Sequence, residues 1–471
     1  MASNRALSQF DYGILIATFS GILVCIGSMA FANGRLTWPL ALVSLVLPLT
    51  ASRAAMNGDD ILNPFCLFSG FFGLYNGLLL LRMSLPEVQS QTAYPVKFSP
   101  EDYFRSGLLS AAASITISLT WVAFRQIGAR RYSSEKEAWF PRRDYYSAGF
   151  IGVLLGFAVK VAGFWQAGGL LAYLTMSRID LFDVDSPNSI KLPAAPFVIA
   201  GLSLMIYAAG PKLLFRKRLC ASFVAWTALL LLQGDRRPLL QLILAALVTW
   251  SASRSKQLKV RLATLLLLIP LYIGANLFAQ FRYLIPAILQ SGSMGDVALW
   301  SVDNATFDLL MPENTEFAGP YLSTLSAVSN SSRKLFGGSY LTGFLGIMPG
   351  PIYPGIKPVM LGQSFANEMA FGPGPAAGWG FNPAAEAFMN FGWCGAILVM
   401  CLWTISFIAL NRLRDYRPVG LMIASALASE AINANRIDFS NVCSESFQCS
   451  GSAIIVFFIA VLLRRTVSSQ R

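Results

Sequence analysis

The sequence predicts an all-α polytopic membrane protein of about twelve transmembrane helices with a large outer loop region, and three observations carry that prediction. Of 471 residues, 55% are hydrophobic and only 13% charged, about half the ~25% charged content of a soluble domain. The charges fall in short blocks between apolar runs long enough to cross ~30 Å of hydrocarbon. The dense basic blocks all fall on one side of the resulting topology. The formal net charge of +12 therefore reports membrane orientation and not a nucleic-acid partner.

Apolar runs near 12–32, 36–52, 62–82, 105–125 and 147–165 give the first five spans. Four more lie near 194–210, 219–233, 238–252 and 263–280, and three near 391–410, 418–434 and 451–463. The 219–252 pair also fits one re-entrant hairpin. With both termini cytoplasmic, inside segments hold 22 of the 36 Lys and Arg but only 7 of the 24 Asp and Glu, as the positive-inside rule requires. The chain thus divides into nine spans over 1–280, a large periplasmic region over 281–390 and three spans over 391–471. Arg5 ahead of an apolar stretch ending in Ala30-Phe31-Ala32 resembles a secretory signal. Its apolar core exceeds the usual 7 to 15 residues, so it is taken as a span.

Of the seven cysteines, five lie in apolar spans, where Cys acts as a small hydrophobe. Cys443 and Cys449 fall in the last outer loop, where an oxidising compartment would permit a disulfide. The sequence contains no histidine, which excludes a His-containing zinc site and a Ser-His-Asp triad.

Residues 281–390 are too long for a structureless connection and mark a functional element. Helical spacing appears over 294–311, and Pro320 with Tyr321, Leu325 and Val328 predicts a second helix opening at proline. The Gly-, Pro- and aromatic-rich remainder reads as loops with interfacial helices. A second outer loop, 166–193, carries Arg178 and several acids. Ionisable residues avoid the span centres, which weighs against a proton-driven transporter. Lys160 suits snorkelling to the interface. Glu430 suits a helix end paired with Arg436.

The turn Gly234-Asp235-Arg236-Arg237-Pro238 places two guanidinium groups on the side that the charge bias disfavours, and Asp235 neutralises one at best. Arg178, Arg236, Arg237, Arg282 and Arg333 all fall outside, on four loops. Guanidinium matches phosphate geometry with a planar fork of donors, so a lipid-linked phosphate or pyrophosphate is the expected ligand. Its tail would stay in the membrane lipid, and the loop aromatics would stack on sugar faces.

Three stretches, LLQGDRRPLLQLILAAL, AQFRYLIP and IMPGPIYPGIKP followed by GWGFNPAAEAFMNFGWCGAIL, resemble the Wzy-type oligosaccharide repeat-unit polymerases (O-antigen or exopolysaccharide polymerases) of bacterial inner membranes. The likeness covers roughly 150–410. It implies an architecture similar to the multi-span polyprenyl-dependent glycosyltransferases. It also implies transfer of a glycan from polyprenyl pyrophosphate to a lipid-linked repeat unit, with no metal or other cofactor, and flippase and chain-length regulator proteins as partners. By position it makes Arg236, Arg282 and Glu386 catalytic; the reading of the outer-side residues adds Arg178, Asp235, Arg237, Tyr283 and Arg333 as binding substrate. Arg237 stands where the family commonly has glycine.

Departure of a pyrophosphate develops charge that placed arginines stabilise, and an attacking hydroxyl benefits from a general base. Without histidine, a side-chain base is a carboxylate: Glu386, preferred, or Asp235, Asp303 or Asp308. Glu386 also suits a role capping or orienting the helix entering the tenth span. Two other classes fit parts of the pattern: a transporter or flippase for a lipid-linked or anionic substrate, and a non-catalytic subunit of a polysaccharide export complex. The long single loop and the lack of mid-membrane acids count against the transporter. The related O-antigen ligases usually carry a loop histidine that this chain lacks.

Overall fold

A computed structural model describes residues 9–31, 37–58, 61–84, 98–128, 142–166, 168–170, 172, 194–210, 216–233, 236–253, 318–330, 335–347 and 380–468. Among these residues the regular structure is helical, with no strand. Eight helices come before the large loop: α1 (Gln9–Phe31), α2 (Trp38–Gly58), α3 (Pro64–Met83), α4 (Pro100–Gly128), α5 (Arg142–Gln166), α6 (Ala194–Ala209), α7 (Lys217–Gln233) and α8 (Arg236–Ser253). Within the loop region lie α9 (Ala318–Ser329) and α10 (Gly338–Gly346). After it come α11 (Pro383–Leu413), α12 (Val419–Asn433) and α13 (Phe439–Ser468).

Seven of these helices are long and apolar enough to cross a membrane, and α6 and α12 are shorter apolar helices. Each expected span coincides with a helix except the ninth, 263–280, which lies outside the described residues together with 294–311. The helix expected at Pro320 is α9. One boundary differs markedly: the last helix begins at Phe439 rather than near 451. Its opening turns are polar on one face, which hides them from a hydropathy window. Cys443 and Cys449 therefore share a helix and are both free thiols. Six residues apart on a helix, they are separated by about 9 Å along the axis, too far to bridge.

Lipid tails are as apolar as leucine, so packing rather than water exclusion decides which faces turn inward. Small residues line the seams. On α4, Ser106, Ser110, Ala113 and Ser114 are fully buried while Leu119 is exposed. The closest crossing joins α5 to α6: a Cβ added at Gly149 would stand 2.6 Å from the Gly201 carbonyl oxygen, and one at Gly201 would stand 2.5 Å from the Gly149 oxygen. The two backbones touch, and glycine is obligatory at both positions.

Two helices depart from regular geometry. In α3 a π turn spans Leu74–Leu78 and turns Asn76 into the interior, with Gly77 against the backbone of Leu45. In α11, Gly392 adopts φ 68°, ψ −154°, a conformation essentially reserved for glycine, so its first turns diverge from the membrane-crossing remainder. At the far ends of the bundle the guanidinium of Arg417 donates to the Ala252 carbonyl at 2.9 Å and that of Arg412 to the Gln126 carbonyl at 3.5 Å. These caps place positive charge on the C-termini of α8 and α4, where the helix dipole favours it.

Replacing Gly201 by valine forces α5 and α6 apart and is expected to cost about 1–3 kcal/mol, the usual range for overpacking. Gly163→Ala, on α5 with open space around it, serves as the control. Thermal unfolding in detergent should show a clear loss for the first and near-parity for the second; equal melting temperatures would refute the backbone contact.

Candidate functional site

The N-terminal ends of α8, α11 and α13 and the C-terminal end of α12 gather at one end of the bundle, bringing polar side chains from four helices together. The sequence Asn382-Pro383-Ala384-Ala385-Glu386 starts α11 in a manner that explains each residue. The Asn382 side chain caps the helix by accepting from the Ala384 amide at 2.8 Å, and Pro383 fills the first turn, where no amide donor is needed. The other end of the Asn382 amide donates to Asn76 of the π turn. Asn76 also donates to the Phe72 carbonyl at 3.0 Å.

Glu386 follows one turn later and is 2% exposed. Its Oε1 accepts from the Ser339 hydroxyl of α10 at 2.6 Å, and its Oε2 accepts from the Phe439 amide at 2.8 Å, the first residue of α13. Asn390 donates to Ser339 Oγ and to the Glu386 carbonyl, both at 2.8 Å. Glu386 thus caps α13 rather than its own helix and fastens α10, α11 and α13 together. Tyr340 stacks on Phe391 and meets the ring of Phe439 edge-on. Its hydroxyl is buried with no hydrogen-bond partner among the described residues. Burial, with the Glu386 carboxylate adding to it, pushes this phenol well above its ordinary value of 10, so it stays protonated.

A second cluster forms around Arg237, in the first turn of α8. Its guanidinium pairs with Glu445 of α13 and lies 3.6 Å from Glu430 of α12. Gln241, one turn along α8, donates to Glu430 at 2.8 Å and to Glu445 at 3.2 Å, while Asn433 donates to Glu430 at 3.2 Å. Glu430, expected beside Arg436, is engaged by residues of α8. Its side chain is 2% exposed, whereas those of Arg237 and Glu445 are 28% and 25% exposed. Two carboxylates therefore face one guanidinium, and one of them reaches the surface.

The two clusters are neighbours. Phe439 and Glu445 are six residues apart on α13, about 9 Å of rise, and the corner between α12 and α13 touches both. Within it the Arg436 carbonyl accepts from the Phe381 amide at 2.8 Å, and Asn435 donates to the Phe68 carbonyl at 3.1 Å. Alongside α13 runs an apolar groove of about 380 Å³ between α11 and the end of α10. No group of three or more metal-ligating side chains occurs among the described residues.

Of the site residues expected from sequence, Glu386 and Arg237 come to this end of the bundle, in separate clusters. Arg236 opens α8, and its side chain lies outside the described residues. Arg178, Asp235, Arg282, Tyr283, Asp303, Asp308 and Arg333 also lie outside them. Sequence reasoning missed Glu445, Gln241 and Ser339. The four-residue spacing of Arg237 and Gln241 placed them on one face of α8, and Glu445 was a lone acid near a strongly apolar run.

Residues 13–467, nearly the whole chain, match the family model described as O-antigen polysaccharide polymerase Wzy. No curated protein and no solved structure matches the chain.

Removing the guanidinium by Arg237→Met leaves Glu430 and Glu445 facing each other. The expected loss is about 2 kcal/mol, below the ~3–5 kcal/mol of a fully buried broken pair because this one is partly solvated. Adding Glu445→Gln should restore at least half of it. Thermal unfolding of the four proteins of this cycle checks the coupling, and simple additivity would argue against the pair.

Proposed function

We propose, for a chain that belongs to the O-antigen polysaccharide polymerase Wzy family, that glycan transfer takes place at the end of the bundle where α8, α11 and α13 begin. The chain is a multi-pass inner-membrane protein, and its activity is that of the family, the polymerisation of O-antigen repeat units supplied as lipid-linked oligosaccharides. The finer reading is that this end faces the periplasm, with both termini cytoplasmic, and that the reaction needs no metal. The observation that carries it is the polar gathering described above, at the end opposite the arginine-capped C-termini of α4 and α8. The clustering of basic residues on the inner side of a membrane supports the same orientation.

In this reading an acceptor sugar hydroxyl attacks the anomeric carbon of the growing glycan. A new glycosidic C–O bond forms, the bond from that carbon to the pyrophosphate oxygen breaks, and polyprenyl pyrophosphate leaves with the negative charge. Arg236, with Arg178, Arg282, Tyr283 and Arg333, meets that charge as it develops. Arg237 is occupied by two carboxylates and holds Glu445 in place. Glu445 takes the hydroxyl proton: its side chain is partly exposed and sits among donors, with Glu430 as its neighbour. Glu386, enclosed and with both oxygens used, is a positioning residue that fixes α10, α11 and α13 around the reaction. Flippase and chain-length regulator proteins are the partners this reaction calls for.

In the native host, Arg236→Ala is expected to leave single repeat units on the surface glycan and abolish the ladder on a gel, and an unchanged ladder removes Arg236 from the site. Glu445→Gln should lower the polymerisation rate by about 10²–10⁴, the usual contribution of general base catalysis, and flatten the acidic side of the pH–rate profile, where the wild-type carboxylate becomes protonated and idle. Glu386→Gln should act mainly through melting temperature. A rate loss at Glu386 with normal stability would move the proton-accepting role to that residue.

A further inference from the structure

We propose that the groove along α13 is the binding site for the isoprenoid chain of the lipid-linked substrate, leading it from the polar end of the bundle into the hydrocarbon. This rests on the reading of the substrate as prenyl-linked. The groove is lined by Phe439, Cys443, Ser446, Phe447 and Ser450 of α13 and by Trp403 of α11. On α13 these recur at helical intervals over twelve residues, about 16 Å of rise from Phe439 to Ser450, so they form one continuous stripe. The small side chains at 443, 446 and 450 make the depression, and the flat faces of Phe447 and Trp403 wall it.

Its two ends differ in chemistry. At the upper end Phe439 contributes its ring to the groove and its amide to Glu386, so the apolar channel starts where the polar site ends. The ring packs edge-on against Tyr340 and Trp403 at 4.9 and 5.8 Å between centroids. Tyr340 supplies there a protonated hydroxyl with no hydrogen-bond partner among the described residues, a donor suited to the oxygen of a phosphate or sugar. Toward the other end, exposed Ile454, Ile455 and Phe458 of α13 present ordinary lipid-facing surface.

Size and lining select the occupant. A volume of about 380 Å³ lies near the lower limit for a small-molecule site, ~300–1,000 Å³, and suits a single hydrocarbon chain. Continuity with the polar site favours a chain whose head is the reacting pyrophosphate over an acyl tail of bulk lipid. A slot also orders the flexible tail before reaction, so binding energy far from the bond being broken positions the head.

The test places a photoreactive benzoylphenylalanine at 447 in the full-length protein, in vesicles of phosphatidylethanolamine and phosphatidylglycerol containing radiolabelled undecaprenyl phosphate. Irradiation should attach the label, and unlabelled undecaprenyl phosphate should compete it away. Attachment of phospholipid only, or of another segment of the same chain only, overturns the proposal. As a second measurement, Ser446→Trp should raise the KM for an undecaprenyl-linked repeat unit about tenfold relative to the same unit on a ten-carbon prenyl pyrophosphate, where tenfold corresponds to ~1.4 kcal/mol. An unchanged KM ratio in a protein of normal melting temperature also overturns it. Protein carrying the photoreactive side chain at 447 that builds a ladder but captures no label sinks the groove alone. Protein that captures label yet never extends its repeat unit sinks the reaction instead.

Discussion

The architecture of the site depends on a carboxylate that cannot reach water. An ionised side chain is costly to enclose unless its lone pairs are used, and Glu386 uses them on two elements other than its own, the Ser339 hydroxyl and the Phe439 amide. That requirement holds the loop-borne α10 against two membrane helices. It also fixes the start of α13, from which both Glu445 and the groove take their positions. The neighbouring amides of Asn382 and Asn76 extend the same logic to α3, each polar group being enclosed only because another helix satisfies it.

The crossing of α5 and α6 follows a different principle, with backbone approach in place of polar pairing. Where α5 crosses α6, contact is made by main chain, because Gly149 and Gly201 leave no side chain between the helices. Many weak dispersion contacts over a close approach replace the hydrophobic drive that lipid removes. The π turn at Leu74–Leu78 belongs to the same economy of space: Gly77 lets α3 lie on Leu45 while Asn76 turns inward to Asn382.

Much of the fold was legible in the amino-acid order, since hydropathy and the sidedness of arginine and lysine are properties of single segments. Eleven of the twelve expected spans find a helix, and the helix opening at Pro320 was signalled by its own residues. The beginning of α13 was not, because Ser440, Asn441, Ser444, Glu445 and Gln448 lower the local hydropathy, while Glu445 meets partners far along the chain, Arg237 and Gln241. Glu430 shows why sites resist such reasoning. A local partner, Arg436, stood six residues away, whereas the structure supplies Arg237 and Gln241, nearly two hundred residues upstream. The Asn-Phe-Gly motif was recognised as a likeness and acquires a physical cause only in three dimensions, in the backbone angles of Gly392.

That glycine also separates two mechanical parts of one helix. The turns from Pro383 to Phe391, which carry Glu386 and through it α10 and the head of α13, join the long lipid-embedded rod through one residue whose dihedrals are essentially reserved for glycine. A side chain at 392 would force that corner open, and the Glu386 carboxylate would then be carried away from the Ser339 hydroxyl and the Phe439 amide.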